Sequence, residues 1–467
     1  MTRAADSVDD PPRPAPPGVA TRDLLALTGP ILVSQVAVMG LAVIDTVMAG
    51  RLSATDLAAV ALGMSIYASV FIGMNGLLQA LTPIAGHHFG GGRFREIGED
   101  LTQGLWLALV LTAIGLPLLL FPGPWLRLAG AEPAVSAVTA QYLQFMAFGL
   151  PASLVARVYI AANSAVSRPR VSMHINLAML ALKVPLNAAL IYGAGPLPAL
   201  GGAGCALAST LLLWTNAGLN AAVWRLDPFY DRFRTRGGRW QGPRWDRQKA
   251  LLRLGLPSGV TLLVEVTSFT FIAILVARLG AITLGGHQII ANLVSILFML
   301  PLSLGVATSV LVAQCLGAGA PVAARRVALR GWRISVSGGL LAAALVYVAR
   351  EPLVGFYTTD ADVAQLALSL MLLAVVFHGF DAMQGAAGMI LRGYKVAFVP
   401  MLIHSASLWG VGLIGGYALA YHSAVGARIG GAAAFWLAAT VGLAITAVAL
   451  SVLANSVARR AIDARRG

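Results

Sequence analysis

Charge is what this chain has least of. Asp, Glu, Lys and Arg make up 11% of its 467 residues, against about 25% in a soluble globular domain. That shortage excludes an ordinary water-soluble fold. Cysteine is nearly absent as well. Cys205 and Cys315 both lie in apolar runs, so a disulfide framework is excluded and a metal site is not suggested. No G-x-S-x-G, H-E-x-x-H or Cys/His cluster occurs. An intramembrane enzyme would need such a nucleophile–base or metal constellation. The opening "MTRAADSVDDPPRPAPPGVATRD" has no signal-peptide pattern and reads as a disordered tail over 1–23.

What remains is apolar. Hydrophobic residues make 58% of the chain and the mean hydropathy is +0.79. Runs of the length that crosses a bilayer, about 20 residues, recur at 24–49, 57–82, 101–121, 136–162, 171–193, 200–224, 251–277, 283–313, 328–349, 362–390, 397–420 and 430–456. Lipid offers the backbone no hydrogen bonds, so a spanning segment must be a helix or part of a closed barrel. These runs are continuous rather than alternating, which predicts an all-α integral membrane protein of twelve transmembrane helices.

Twelve crossings put both ends on one side. Basic residues mark the cytoplasmic side, and with the ends placed there the inner segments hold 25 of the 33 Lys and Arg. Eight of those 25 lie in the linker 225–249. The net charge of +14 is therefore explained by topology, and no nucleic-acid role is expected. Both termini are predicted to be cytoplasmic, in a bacterial-type inner membrane.

The linker divides the chain in the middle. "AGRLSATDLAAV" from Ala49 is similar to "VARLGAITLGGH" from Val276, and "FGGGRF" at Phe89 to "CLGAGA" at Cys315. Arg51 and Arg278 differ by 227, and so do Gly90 and Gly317. One offset for two separate matches predicts a parallel internal repeat: an N-terminal six-helix lobe over 24–224, the basic linker, a C-terminal lobe over 250–456 and a basic tail over 457–467. Such repeats are a transporter device, with the substrate site between them near mid-membrane.

Ionisable side chains inside a membrane are costly and mark ion and substrate pathways. Asp45 lies near the end of its span and a few residues inside it, Lys183 about ten residues from either end of its own, and Glu265 and Asp381 in the middle of theirs. Arg157, about two turns from a cytoplasmic end, reads as snorkelling to the interface. His174, His287, His378 and His404 read as interior histidines, with His378, one turn from Asp381, the best relay candidate. Gln288, Asn292 and Gln384 are candidates, with His378, for lining a cavity or bonding between helices. Pro185, Pro257 and Pro301 should bend their helices.

The segments "IDTVMAGRLSATDLAAVALG", "GLPSGVTLLVEV", "PLSLGVATSVLVAQCLGAG" and "GFDAMQGAAGMILRGYK", in this order, resemble signatures of the multidrug and toxic compound extrusion (MATE) family, its NorM-like branch in particular. The resemblance runs from about 24 to 455. It implies a two-lobe antiporter, without a cofactor, that exports amphipathic organic cations in exchange for H⁺ or Na⁺. Carried over by position, Asp45 is the helix-1 aspartate. Glu265 and Asp381 are the acidic pair of the C-terminal lobe and the candidate Na⁺ ligands. Asn187 is the second asparagine of a helix-5 pattern. Two positions depart: Lys183 stands where that pattern has its first asparagine, and Phe377 where NorM-type proteins have a tyrosine. By the same resemblance Lys183 faces Asp45 and pairs with it; the alternative is that Lys183 snorkels away. The expected partners are small cationic drugs and membrane lipid, with the protein a monomer. The competing readings are a lipid-linked oligosaccharide flippase of the same superfamily, which would want central arginines, and an intramembrane enzyme.

Overall fold

The computed structural model describes residues 20–193, 198–233 and 241–465, and no strand occurs among them. Among the described residues, twelve helices are long and apolar enough to cross a membrane. We number them α1 (Thr21–Gly50), α2 (Ala54–Gly90), α3 (Phe94–Leu120), α4 (Pro133–Ala165), α5 (Pro169–Ile191), α6 (Gly202–Leu226), α7 (Trp245–Ala277), α8 (Ala281–Gly317), α9 (Pro321–Val348), α10 (Ala361–Gly393), α11 (Phe398–His422) and α12 (Gly431–Asp463). Each coincides with one predicted span and most extend beyond it, because helices overhang the apolar stretch that identifies them.

The segments between and beyond the spans are more structured than expected. Of the tail placed at 1–23, Thr21–Asp23 already belong to α1, and 1–19 lie outside the described residues. The basic linker is no free tether where it is described. Pro228–Phe233 form a helical turn whose Tyr230 and Phe233 are buried, and α7 starts at Trp245. Arg168 clamps that turn, pairing with Asp227 at 2.6 Å and stacking 4.4 Å above the Phe229 ring. The Phe229 amide, with Arg168, holds the Asp227 carboxyl below its ordinary value. The C-terminal tail placed at 457–467 is helical through Asp463. Residues 234–240 and 466–467 lie outside the description.

The repeat shows in the backbone itself. Ser167 and Lys395 have φ of 61° and are the non-glycine residues recorded at positive φ; 395 less 167 is 228. Gly92 and Gly319 share φ of 70°, and 319 less 92 is 227. Each half thus turns at matching points, with one residue gained between the second and fourth helices of the C-terminal half.

Where the lobes meet, backbone touches backbone. A Cβ on Gly90 would strike the carbonyl of Gln314, and one on Gly317 the carbonyl of His87. These are the repeat-related ends of α2 and α8. His87 Nε2 lies 2.9 Å from the Gly393 carbonyl, while Gln314 Nε2 donates to the Ala165 carbonyl at 2.8 Å. His87 and Gln314 also differ by 227, so one latch is built twice with different side chains. Nearby, Gly76 packs against Gly259, and Gly255 against the backbone of Leu77. A charged cluster closes the same end: Arg247 of α7 lies 3.0 Å from Asp100 and 3.3 Å from Glu96, both on α3. The start of α1 and the end of α12 lie at this face, Leu24 in the cluster that holds Cys315 and Arg465 against Gly319.

Helix α2 is interrupted at Gln79–Ala80. Pro83 lies four residues beyond Gln79 and has no N–H for its carbonyl, so the ladder breaks there.

The seam makes a direct prediction. Gly90→Ala and Gly317→Ala should each lower the detergent melting midpoint by several degrees, since overpacking against backbone costs about 1–3 kcal/mol. Gly29→Ala, where an added methyl meets no atom within 4 Å, should leave it unchanged. Equal midpoints for all three would contradict the seam as described.

Candidate functional site

Asp45 of α1 and Lys183 of α5 form an ion pair, Nζ to Oδ1 at 2.7 Å. Lys183 is fully buried and Asp45 is 4% exposed, so Lys183 does not snorkel. The sequence supplies the rest of the shell at one-turn spacings. Asn187, four residues after Lys183, donates to Asp45 Oδ1 at 2.8 Å. On α6, Ser209 accepts from Lys183 Nζ at 2.6 Å and donates to Asp45 Oδ2 at 3.3 Å. The Cys205 carbonyl takes a further Lys183 contact at 3.4 Å. A buried pair is tolerable when its remaining hydrogen-bonding capacity is met in this way.

The C-terminal acids are placed differently. Glu265 is half-buried on the wall of a central cavity and has no hydrogen-bond or ion-pair partner among the described residues. Asp381 is buried, accepts from Gln384 at 3.1 Å and has His378 Nδ1 at 3.8 Å. Gln384 lines the cavity, so Asp381 stands behind it. Phe377 is buried between Phe269 and Trp436.

Not every expected cavity residue reaches it. His378 is fully buried and neither ring nitrogen has a hydrogen-bond partner in the described residues. It belongs to the packing around Asp381 and does not line the cavity. Gln288 and Asn292 are exposed and lie about two to three turns beyond the cavity on α8. Asn292 instead accepts from the Tyr357 hydroxyl at 2.9 Å.

The cavity, about 380 Å³, lies between the lobes. Its walls obey the repeat. Ile31, Ser34, Gln35 and Val38 of α1 line it, and so do Ser258, Thr261, Leu262 and Glu265 of α7, each 227 later. Phe71, Asn75 and Gln79 of α2 face the same space as Phe298, Leu302 and Val306 of α8, again 227 later. Arg157 and Ser164 of α4 match Gly385 and Arg392 of α10, 228 later. The scaffold is symmetric while the chemistry is not, because Glu265 answers Val38, Arg157 answers Gly385 and Arg392 answers Ser164.

Two of these residues correct the sequence reading. Arg157 does not snorkel to an interface but turns into the cavity, and Arg392 lines the cavity rather than standing in a cytoplasmic segment. Arg392 donates to Gln79 Oε1 at 3.2 Å, at the break in α2. Asp45, Lys183, Glu265 and Asp381, the ionisable residues expected inside the spans, therefore do not by themselves describe the charge of the cavity wall. Sequence reasoning also missed a chain of amides in the N-terminal lobe. Asn163 donates to Asn220 at 3.1 Å, Asn220 to Asn216 at 2.9 Å, Asn216 to Asn176 at 2.8 Å and Asn176 to the cavity-lining Ser34 at 2.6 Å. The clustering of asparagine in otherwise apolar spans was the available signal.

Comparison with known proteins decides the family. The MatE family model matches residues 30–189 and again 257–418, one match in each lobe. This chain belongs to the MatE family. The "Probable multidrug resistance protein NorM" of Aromatoleum aromaticum is 40% identical, over 92% of this chain and 93% of its own length. The "Multidrug resistance protein PmpM" of Pseudomonas aeruginosa is 34% identical, over 94% of this chain and 92% of its own. Among solved structures, the eukaryotic MATE transporter AtDTX14 superposes with a TM-score of 0.84 at 22% identity, covering 94% of this chain and 98% of that one. The Vibrio cholerae transporter VcmN in its bent form gives 0.81 at 19%, covering 94% and 97%. A family built on this duplicated scaffold accounts for the multi-pass membrane architecture and the two lobes.

The ion pair carries its own test. Lys183→Met strands Asp45 in the lobe interior, and losing one partner of a buried pair costs about 3–5 kcal/mol. Thermal unfolding should show a large loss for Lys183→Met, partly recovered when Asp45→Asn is added. No recovery in the double variant would mean the two groups are not energetically coupled.

Proposed function

We propose that this protein is a multidrug efflux antiporter of the inner membrane, with both ends cytoplasmic, that exports amphipathic amine-bearing molecules in exchange for protons. The observation that carries the reading is the carboxylate of Glu265, without a hydrogen-bond or ion-pair partner among the described residues, on the wall of a cavity between two repeat-related lobes. One negative site cannot cheaply hold a proton and a cationic substrate together, and that exclusion is what couples their fluxes. The names of the relatives from Aromatoleum aromaticum and Pseudomonas aeruginosa support drug efflux.

Proton coupling rests on the ligand chemistry. Na⁺ requires several oxygen ligands. In the N-terminal lobe the Asp45 carboxylate is already occupied by the Lys183 ammonium. In the C-terminal lobe Asp381 accepts from the Gln384 amide nitrogen with the His378 ring 3.8 Å away, and Phe377 brings no oxygen. A proton needs no such shell. Glu265 is the residue that exchanges cation for substrate, and Asp381 sets the field behind it. The seam at Gly90 and Gly317 closes the cavity toward the terminal face; rocking the lobes so that this seam opens and closes would expose Glu265 to either side in turn.

In proteoliposomes, a pH gradient in Na⁺-free buffer should drive export of a cationic dye, and a Na⁺ gradient at equal pH should not. Glu265→Gln, nearly isosteric, should cut driven export at least tenfold while the protein still inserts. Strictly Na⁺-dependent export by the wild type, or wild-type export by Glu265→Gln, would refute the proton assignment or the role of Glu265 respectively.

A further inference from the structure

We propose that the start of α9 and the end of α12 form a binding site for the phosphate headgroup of an anionic phospholipid, in the leaflet at the terminal face. The site stands apart from the cavity and from what the cavity carries.

The duplication exposes it. Helices α3 and α9 start at matching points, Phe94 and Pro321, 227 apart. From Phe94 to Trp106, α3 carries three acids and one arginine; from Pro321 to Arg333, α9 carries four arginines and no acid. The α3 copy is covered by its own chain. Gln103, fully buried, donates to the Gly242 carbonyl at 3.0 Å and accepts from the Arg244 amide at 2.9 Å, while Glu96, Glu99 and Asp100 hold Arg247. The α9 copy is open. Arg326, Arg330 and Arg333, which match Glu99, Gln103 and Trp106, are exposed, and none has a carboxylate within ion-pair distance among the described residues. The same helix face is thus built twice, covered by chain in one lobe and left bare and basic in the other.

Helix α12 supplies the second bank. Arg325 donates to Asn455 Oδ1 at 3.2 Å, and the Trp332 indole donates to Ser451 Oγ at 3.2 Å. These bonds lay Ser451 and Asn455 along α9. Arg459, one turn beyond Asn455, continues that row and is exposed. The bond to Asn455 gives the Arg325 guanidinium a neutral partner only, and its buried Nε has no partner among the described residues. The one acid of the facing stretch 451–465 is Asp463, one turn farther out and exposed. Arg325, Arg326, Arg330 and Arg459 therefore flank one crevice between two membrane helices.

Charge alone would suit any anion; the surface beside the charge selects the lipid. Deeper along α9, Leu340, Leu341 and Leu345 are exposed, and so are Val448 and Val452 along α12. A ligand that matches this surface carries a phosphate at one end and acyl chains at the other. Basic pockets between membrane helices suit anionic headgroups, and the arginine fork engages two phosphate oxygens at once. Arg326 and Arg333, seven residues apart, span about 10 Å along the helix, and long arginine stems let the deeper one reach back to the headgroup.

The test uses purified full-length protein in neutral-detergent micelles. Binding is read by energy transfer from tryptophan to a phosphatidylglycerol with a pyrene-labelled acyl chain, against phosphatidylcholine carrying the same label. The wild type should bind the anionic lipid at least fivefold more tightly. The preference should vanish in the double variant Arg326→Gln with Arg330→Gln, and persist in Arg51→Gln with Arg278→Gln, two exposed arginines at the opposite membrane face. All four positions are exposed, so folding is expected to survive; should it not, competition on the wild type decides. Unlabelled phosphatidylglycerol should displace the probe, whereas inorganic phosphate and hexaglutamate at the same concentration should not. Equal affinity for the two lipids, or an undiminished preference in Arg326→Gln with Arg330→Gln, would overturn the site. Displacement by inorganic phosphate would make it a small-anion site, and displacement by hexaglutamate a seat for an acidic protein segment; either result would also overturn the lipid assignment.

Discussion

The rest of the structure depends on a backbone-to-backbone contact. At the ends of α2 and α8, Gly90 and Gly317 let two helices approach until a carbonyl occupies the space a methyl would need. Helices in lipid gain no hydrophobic attraction for each other, so close packing through small residues and hydrogen bonds has to hold them. The seam supplies both, because the His87 and Gln314 side chains reach across to carbonyls of the opposite lobe. A contact of this kind is either made or broken, since packed interfaces are bistable rather than continuously deformable. That property is what an alternating device needs.

Duplication explains the economy of the design. Matching positions on α1 and α7, α2 and α8, and α4 and α10 surround one cavity, so the shape is set twice by one plan. Function then comes from where the copies differ. The N-terminal lobe sequesters its acid: Asp45 is held by Lys183, Asn187 and Ser209, away from the cavity wall. The C-terminal lobe leaves Glu265 open to it. The amide chain from Asn163 to Ser34 stiffens the N-terminal lobe with hydrogen bonds whose loss in an apolar interior would be costly. In the resulting picture the N-terminal lobe brings Arg157 to the cavity wall and the C-terminal lobe brings Glu265.

Much of this was legible in the sequence. Twelve apolar runs gave twelve helices, because in lipid the backbone has no cheaper alternative. The repeat was visible in two short matches, and the resemblance carried by "IDTVMAGRLSATDLAAVALG" and its companions led to the family. The cavity wall was only partly legible. Arg157 lies near the end of its span and Arg392 lies close to Lys395, so both look like interface or cytoplasmic basic residues on charge distribution alone. Only the docking of the lobes, with α2 broken at Gln79, turns them inward. Gln288 and Asn292 were misplaced because helix polarity does not report depth along the helix. The gained residue that changes the offset from 227 to 228 is invisible without turn geometry; with it, the position matching Asp381 in the N-terminal lobe is Ser153.

The central claim is that the glycine seam opens and closes during transport. Distance measurement by pulsed electron paramagnetic resonance tests it most directly. Spin labels would replace Arg95 on α3 and Val322 on α9, both exposed and on opposite lobes near the seam. In lipid without substrate, one short distance corresponding to the closed seam should dominate. During dye exchange a second, longer population should appear, and Glu265→Gln should change the ratio of the two. A single unchanged distance in all conditions, in protein shown to be transporting, would contradict the account.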